Sequence, residues 1–169
     1  GFFLRGLFLR EEIFRLQLIF LRHGFSLGLT PIPIKSVQNY FPDDLADSET
    51  ADLFMSVIMY RLKKNGRCAV ILPDGFLFGT DNTKVAIKKK LVSEFNLHTI
   101  IRMPSSVFAP YTSITTNILF FDNTKPTEET WFYRLDMPDG YKHFSKTKPM
   151  KVEHFNPVIE WWNNRQEII

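Results

Sequence analysis

The side chains with the most chemical potential fall into four groups. The first is Pro73-Asp74, which closes the apolar run Cys68-Ala69-Val70-Ile71-Leu72. A run apolar at every position suits a strand buried on both faces, as in a parallel sheet covered by helices. Proteins of that class hold ligands in loops beyond the carboxyl ends of their strands. Asp74 could therefore meet a polar ligand group, although starting a turn through its side chain is the simpler reading. The second group is Lys142, Lys146, Lys148 and Lys151, interleaved with Tyr141, His143 and Phe144. Basic residues among aromatics suit a groove that tracks a nucleic-acid backbone. The third is Lys84, Lys88, Lys89 and Lys90, which could contact phosphates, although a solvated helix face accounts for them more cheaply. The fourth is Glu49 and Asp52, a carboxylate pair at i, i+3 that helix-start electrostatics explains without catalysis.

The remaining reactive side chains read as structural. Cys68 is the single cysteine and lies inside the apolar run. It has no internal disulfide partner, and a buried thiol is expected rather than a reactive one. Four scattered histidines give no metal-ligand spacing, so no metal site is expected. His98 lies in an apolar strand and reads as a satisfied core or edge histidine. Trp161-Trp162 read as packing for a terminal helix.

The elements that must position these groups can be read from periodicity. A helix is expected from about Ser48 to Lys64. Asp47 or Ser48 would cap it, and Phe54, Ile58 and Leu62 with Ala51 and Met55 would form its apolar stripe. Asn65-Gly66 supply its left-handed stop. A strand follows over Arg67–Leu72, then a Gly-rich turn through Gly75 and Gly79. A second helix is expected from Asn82 or Thr83 to about Phe95, with Val85, Ile87, Leu91, Val92 and Phe95 inward and the lysines mainly outward. Strands are expected at Leu97–Met103, Thr115–Phe121 and Trp131–Leu135, and a last helix at about Val152–Asn164. The first two strands fit a right-handed βαβ unit, with Leu72 and Met103 ending neighbouring strands of the same direction. The later ones are joined by a loop too short for a helix and should be antiparallel.

At 169 residues, one domain with a real core is the prior. An apolar content of 44% and a charged content of 23% belong to a globular chain. A net charge of +3 is too weak to argue for nucleic acid by itself. The chain begins with Gly, so its start reads as processed, tagged or truncated. Residues 2–22 are very apolar, but Arg5, Arg10, Glu11, Glu12 and Arg15 break them up. Neither a transmembrane span, which needs about 18 uninterrupted apolar residues, nor a signal peptide is expected. A segment that apolar must be buried in its own protein or in a partner, a second copy included. A reducing, cytoplasmic setting is expected.

Several pieces, joined in order, carry a resemblance. They are Ser36-Val37-Gln38-Asn39-Tyr40-Phe41-Pro42, Glu49–Phe54, Gly66–Gly79, Asn96–Pro104, Val107-Phe108-Ala109-Pro110-Tyr111-Thr112, Thr116–Phe121, Trp131-Phe132-Tyr133 and Tyr141–Met150. Together they resemble the catalytic domain of the modification (M) subunits of type I restriction–modification systems. Those subunits are adenine-N6 DNA methyltransferases that use S-adenosylmethionine and work with specificity (S) and restriction (R) subunits.

The resemblance implies an α/β fold: part of a class I S-adenosylmethionine-dependent methyltransferase (Rossmann-like) sheet, mixed parallel and antiparallel, with flanking helices. It assigns residues 36–169 to the C-terminal half of that domain and leaves 1–35 as an atypical apolar segment. It places Phe108 and Tyr111 in the loop that flanks the flipped adenine, where an aromatic can stack on the base. Packing is the alternative for both, and the more economical one for Tyr111. It places Pro73 and Asp74 at the pocket edge. The family's glycine-rich cofactor turn and its Asn-Pro-Pro-Phe motif are absent. Thr30-Pro31-Ile32-Pro33 is the nearest stretch and has neither the amide nor the ring. No intact catalytic residue is therefore expected, and cofactor binding by this chain is in doubt.

Overall fold

The computed structural model describes residues 50–167. The apolar segment 2–22, the stretch Thr30–Pro33, the 36–42 piece and the expected caps Asp47 and Ser48 lie outside the described residues, as does Glu49.

The chain enters through helix α1 (Thr50–Arg61) and turns into strand β1 (Arg67–Pro73). Asn65 takes the left-handed conformation at the turn, with φ 62°. Gly66 is needed for a different reason, because a Cβ there would stand 2.7 Å from the Lys63 carbonyl oxygen. The inward face of α1 keeps most of the expected apolar stripe but not Phe54, and it adds polar residues. Asp52, Met55, Ser56 and Met59 are buried, while Phe54 is half exposed. Two of those four positions are polar, while Ala51, Ile58 and Leu62 of the expected stripe pack partly buried against the same core. Ser56 is satisfied by donating to the Asp52 carbonyl at 2.8 Å, and Asp52 by an ion pair with Lys84 at 3.2 Å.

Residues after β1 form a short helix, α2 (Asp74–Phe78), where a glycine turn was expected. Phe76 drives it, being fully buried; burial of such a ring stabilises by roughly 1.5–3 kcal/mol. The α2 carboxyl end is closed by Lys88, whose Nζ donates to Leu77 O at 2.8 Å and to Gly79 O at 2.7 Å. Helix α3 (Asn82–Glu94) follows, capped by Asp81, whose carboxylate accepts from the Lys84 amide. Lys84 was expected on the solvent side. It is instead buried with Ile87 and Leu91, because Asp52 and Asp81 supply its counter-charges. Val92, expected inward, is exposed.

Strands β2 (Asn96–Arg102), β3 (Thr116–Asp122) and β4 (Trp131–Arg134) complete a four-stranded sheet of order β1-β3-β2-β4. β3 runs antiparallel to both of its neighbours, so β1 and β2 point the same way. They are not neighbours, however. The most buried strand, β3, is buried at six consecutive positions and sits between them. A strand apolar on both faces gains most from a central place. β4 also departs from expectation, pairing in parallel with β2 rather than with β3. The connection from β3 wraps the start of β2, where Thr127 and Thr130 bond to Leu97 N, Phe95 O and Leu97 O.

Alternation along the strands builds two cores. On one face Val70, Leu72, Ile100, Leu119 and Phe121 meet α1, α2 and α3. On the other Ile101, Ile118 and Phe120 meet a 3-10 turn (Val152–Phe155) and helix α4 (Asn156–Asn163) through Phe155 and Val158. The expected mixed α/β sheet with helices on both faces is thus the observed architecture. No described helix is long and apolar enough to cross a membrane.

Candidate nucleic-acid interface at the carboxyl end of the sheet

The same-direction strands β1 and β2 end side by side across β3, and polar groups gather there. Asp74 is the first residue of α2. Its carboxylate accepts from both terminal nitrogens of Arg102, at 3.0 and 2.6 Å, and from Asn117 Nδ2 at 2.7 Å. Its amide donates to Thr115 O, and the Met103 amide donates to Thr116 O. The ends of β1, β2 and β3 are therefore tied through one carboxylate. A bidentate Arg–carboxylate pair is among the stronger and more directional polar contacts. The sequence leaves Asp74 open to ligand contact or to turn-forming. Both of its carboxylate oxygens are instead engaged inside the protein. Pro73 stands opposite Thr116, whose buried hydroxyl has no hydrogen-bond partner among the described residues.

The loop between β2 and β3 carries Phe108 and Tyr111. Phe108 is half-buried and packs against the second core. Tyr111 is 86% exposed, so it contributes little packing. Ser106 begins this loop in the left-handed region, with φ 61°. Such a backbone is uncommon for a residue other than glycine and is often found where a loop is held for binding. The Ser106 hydroxyl accepts from the Phe144 amide at 2.9 Å. That bond brings the basic–aromatic segment against the loop, although the two are far apart in sequence.

Within that segment the lysines are not equivalent. Lys142 and Lys146 are exposed. Lys148 is exposed too but folds inward on itself, with Nζ 3.9 Å from the Tyr141 ring centroid and donating to Gly140 O. Phe144 is buried beneath Tyr141 and His154. Of the helix lysines, Lys90 pairs with Glu94, and Lys84 and Lys88 are committed to the fold. His98 sits between Phe120 and Trp162 with its Nδ1 2.9 Å from Thr99 Oγ1. Burial holds its pKa below the usual imidazole value, helped by the Arg165 charge and opposed by Asp122. Trp161 and Trp162 pack on Tyr133 and Phe120 and carry the Arg165 guanidinium. Among the described residues no three of His, Cys, Asp and Glu converge as a metal site would need.

Sequence reasoning missed Arg102, Asn117 and Ser106. A signal for the first two was present: an arginine closing Ile100-Ile101 and an asparagine inside an apolar strand. Polar groups so placed must find partners. Ser106 had none, because its backbone conformation leaves no trace in residue type.

A mixed sheet with helices on both faces defines an α/β domain. The chain belongs to the N-6 DNA methylase family, whose model matches residues 33–169. The methylase subunit of the type I restriction enzyme EcoEI from Escherichia coli is 53% identical over 131 residues, covering 78% of this chain and 26% of that protein. A solved protein from Vibrio vulnificus, assigned as a type I restriction enzyme modification subunit, superposes with a TM-score of 0.72 at 44% identity. That match covers 79% of this chain and 29% of the other. The M protein of the type I enzyme EcoKI superposes at 0.55 with 30% identity, over 66% of this chain and 24% of that one. The chain thus spans about a quarter of the length of the curated relatives it matches.

Proposed function

We propose that residues 36–169 are the back portion of the catalytic domain of a type I DNA methyltransferase subunit, and that these 169 residues alone do not transfer a methyl group. In the complete protein the reaction would move the methyl of S-adenosylmethionine to adenine N6 in DNA. Specificity and restriction subunits would be its partners, and the cytoplasm its setting. The observation that carries this reading is the match to a quarter of the relatives' length, joined to a sequence without the glycine-rich turn or Asn-Pro-Pro-Phe. Without the orienting amide and the cofactor cradle, the pre-paid positioning that provides up to roughly 7–11 kcal/mol in transfer reactions is lost. What remains is one wall of a base pocket: Tyr111 exposed for stacking, Phe108 supporting it, and Pro73 at the edge. Lys142 and Lys146 stand near the loop as backbone contacts, with Lys148 a weaker third. S-adenosylmethionine is the cofactor of this reading, and its binding by this chain is not expected. Isothermal calorimetry with S-adenosylmethionine tests it: no heat of binding is expected, whereas saturable micromolar binding would overturn the inactivity.

A second reading has one specific support. β1 is an edge strand among the described residues, and Cys68 to Leu72 carry no charge to discourage pairing. Residues 2–22 would then dock this chain on another copy or subunit as a non-catalytic assembly module. A clean monomer in size-exclusion chromatography with light scattering would remove it.

A further inference from the structure

The parallel strands β2 and β4 end side by side, and the chain beyond them opens a crevice of about 350 Å³. Its walls include Arg102, Ser105, Thr115, Arg134 and Asp136. These five side chains offer hydrogen bonds beside the apolar Met103, Pro104, Leu135 and Met137, and a crevice beyond parallel strand ends is where sheets of this class hold ligands. Its two guanidiniums differ. Arg102 is held by Asp74 in a bidentate pair. Arg134 has one partner among the described residues, Asp136 at 3.0 Å, and both side chains are more than three-quarters exposed. Exposed ion pairs contribute little, so the Arg134 guanidinium can turn to another anion at small cost.

We infer that this crevice holds a backbone phosphodiester of a nucleic-acid strand through Arg134, next to the base that meets Tyr111. The inference rests on the DNA reading above and adds a contact to it. Charge favours a diester over free phosphate: two arginines facing Asp74 and Asp136 leave the site near neutral, which suits a monoanion better than a dianion. Continuity places it on the strand's path, because Ser105 in the crevice wall leads through Ser106 directly into the loop of Phe108 and Tyr111. The planar guanidinium, with several donors, suits phosphate oxygens.

Fluorescence anisotropy with a labelled single-stranded oligodeoxynucleotide, titrated onto the full chain over a range of salt, tests the assignment. R134Q is expected to weaken binding and to flatten the salt dependence by about one phosphate contact. That is about a 2- to 3-fold smaller loss of affinity between about 50 and about 200 mM salt. D136N, which releases Arg134 and removes a negative charge, is expected to bind more tightly than the parent. K125Q makes the same change in net charge on the exposed turn after β3, at the opposite end of the sheet, and should leave the salt slope unchanged. If the parent binds and R134Q behaves as K125Q does, the crevice assignment is overturned while the DNA reading stands. If the parent shows no salt-dependent binding, both fail. Saturable inorganic phosphate binding that R134Q abolishes but that leaves the oligonucleotide bound, at matched ionic strength, would mark a free-anion site and overturn the strand assignment. Arg134 is exposed, so circular dichroism should give R134Q the parent's melting curve.

Discussion

Replacing Lys84 by methionine should be among the most costly single changes at a charged position of this chain. Its side chain is 6% exposed, and Nζ lies 3.2 Å from Asp52 and 3.0 Å from Asp81. The two acids differ: Asp52 is 1% exposed and Asp81 49%. K84M leaves Asp81 in contact with water but removes the lysine counter-charge from the buried Asp52 carboxylate between α1 and α3. Removing one partner of a buried pair costs about 3–5 kcal/mol. For a domain of this size that is a fall in melting temperature of roughly 10–20 °C. D52N should cost less, because Lys84 keeps Asp81. The double variant D52L/K84M, apolar at both positions, should recover most of the loss, since a buried pair contributes little beyond a well-packed apolar replacement. Thermal and urea unfolding followed by circular dichroism measure all three. A loss below about 1 kcal/mol for K84M, the behaviour of a surface lysine, would refute the argument. So would a double variant no more stable than K84M.

Four further outcomes are expected. G79A should lose about 1–3 kcal/mol of stability in urea, because the new Cβ would clash with the pinned Lys84 side chain and stand 2.6 Å from Gly75 O. His98 has a folded pKa below its unfolded value. Its contribution is therefore fully present above about pH 6.5 and declines as the pH falls below that; urea midpoints at pH 8 and pH 5 should differ less in H98N than in the parent. D74A should lose about 1–3 kcal/mol, chiefly by leaving the buried Asn117 amide without its acceptor; R102Q should cost less, since Arg102 is partly exposed. Y111A should keep the parent's stability yet weaken oligonucleotide binding by about 1–3 kcal/mol, whereas F108A should lose stability first.

Much of the scaffold was legible because its signals are local. Asn65-Gly66, the apolar strand runs and the span of α3 follow from residue type and spacing within a few positions. The misreadings share a cause, which is that long-range partners decided the outcome. Lys84 carried every mark of a solvated lysine, and its burial is made tolerable by Asp81 together with Asp52 on another helix. α1 keeps Ala51, Met55, Ile58 and Leu62 of its expected stripe against the core, whereas Phe54 turns outward and Asp52 takes an inward place to meet Lys84. Strand order was invisible for a related reason: β1 is at least as apolar as β3, and residue type does not say which of them is central. The loop to β4 read as a hairpin by its length, because nothing in a length shows Thr127 and Thr130 binding the start of β2. At the candidate site, Tyr111 and the lysines were visible as residue types, whereas their convergence through Ser106 and Phe144 was not.

The two ends of the sheet use their polar groups differently, and this bears on where a ligand can act. At the amino end of β2, Asn123 donates to Leu62 O, while Thr127 and Thr130 bond to Phe95 and Leu97. Those three side chains serve the backbone, although Asn96 also donates to the Asp122 carboxylate there. At the carboxyl end, the polar contacts join side chain to side chain through Asp74, Arg102 and Asn117. They fix the strand ends while leaving Phe78, Tyr111 and Arg134 largely exposed around them. A rigid frame bearing exposed aromatic and cationic side chains is poorly explained by stability, since none of the three is well buried. It is well explained by contact with a flat, anionic partner, for which ring faces and a weakly paired guanidinium are the complementary chemistry.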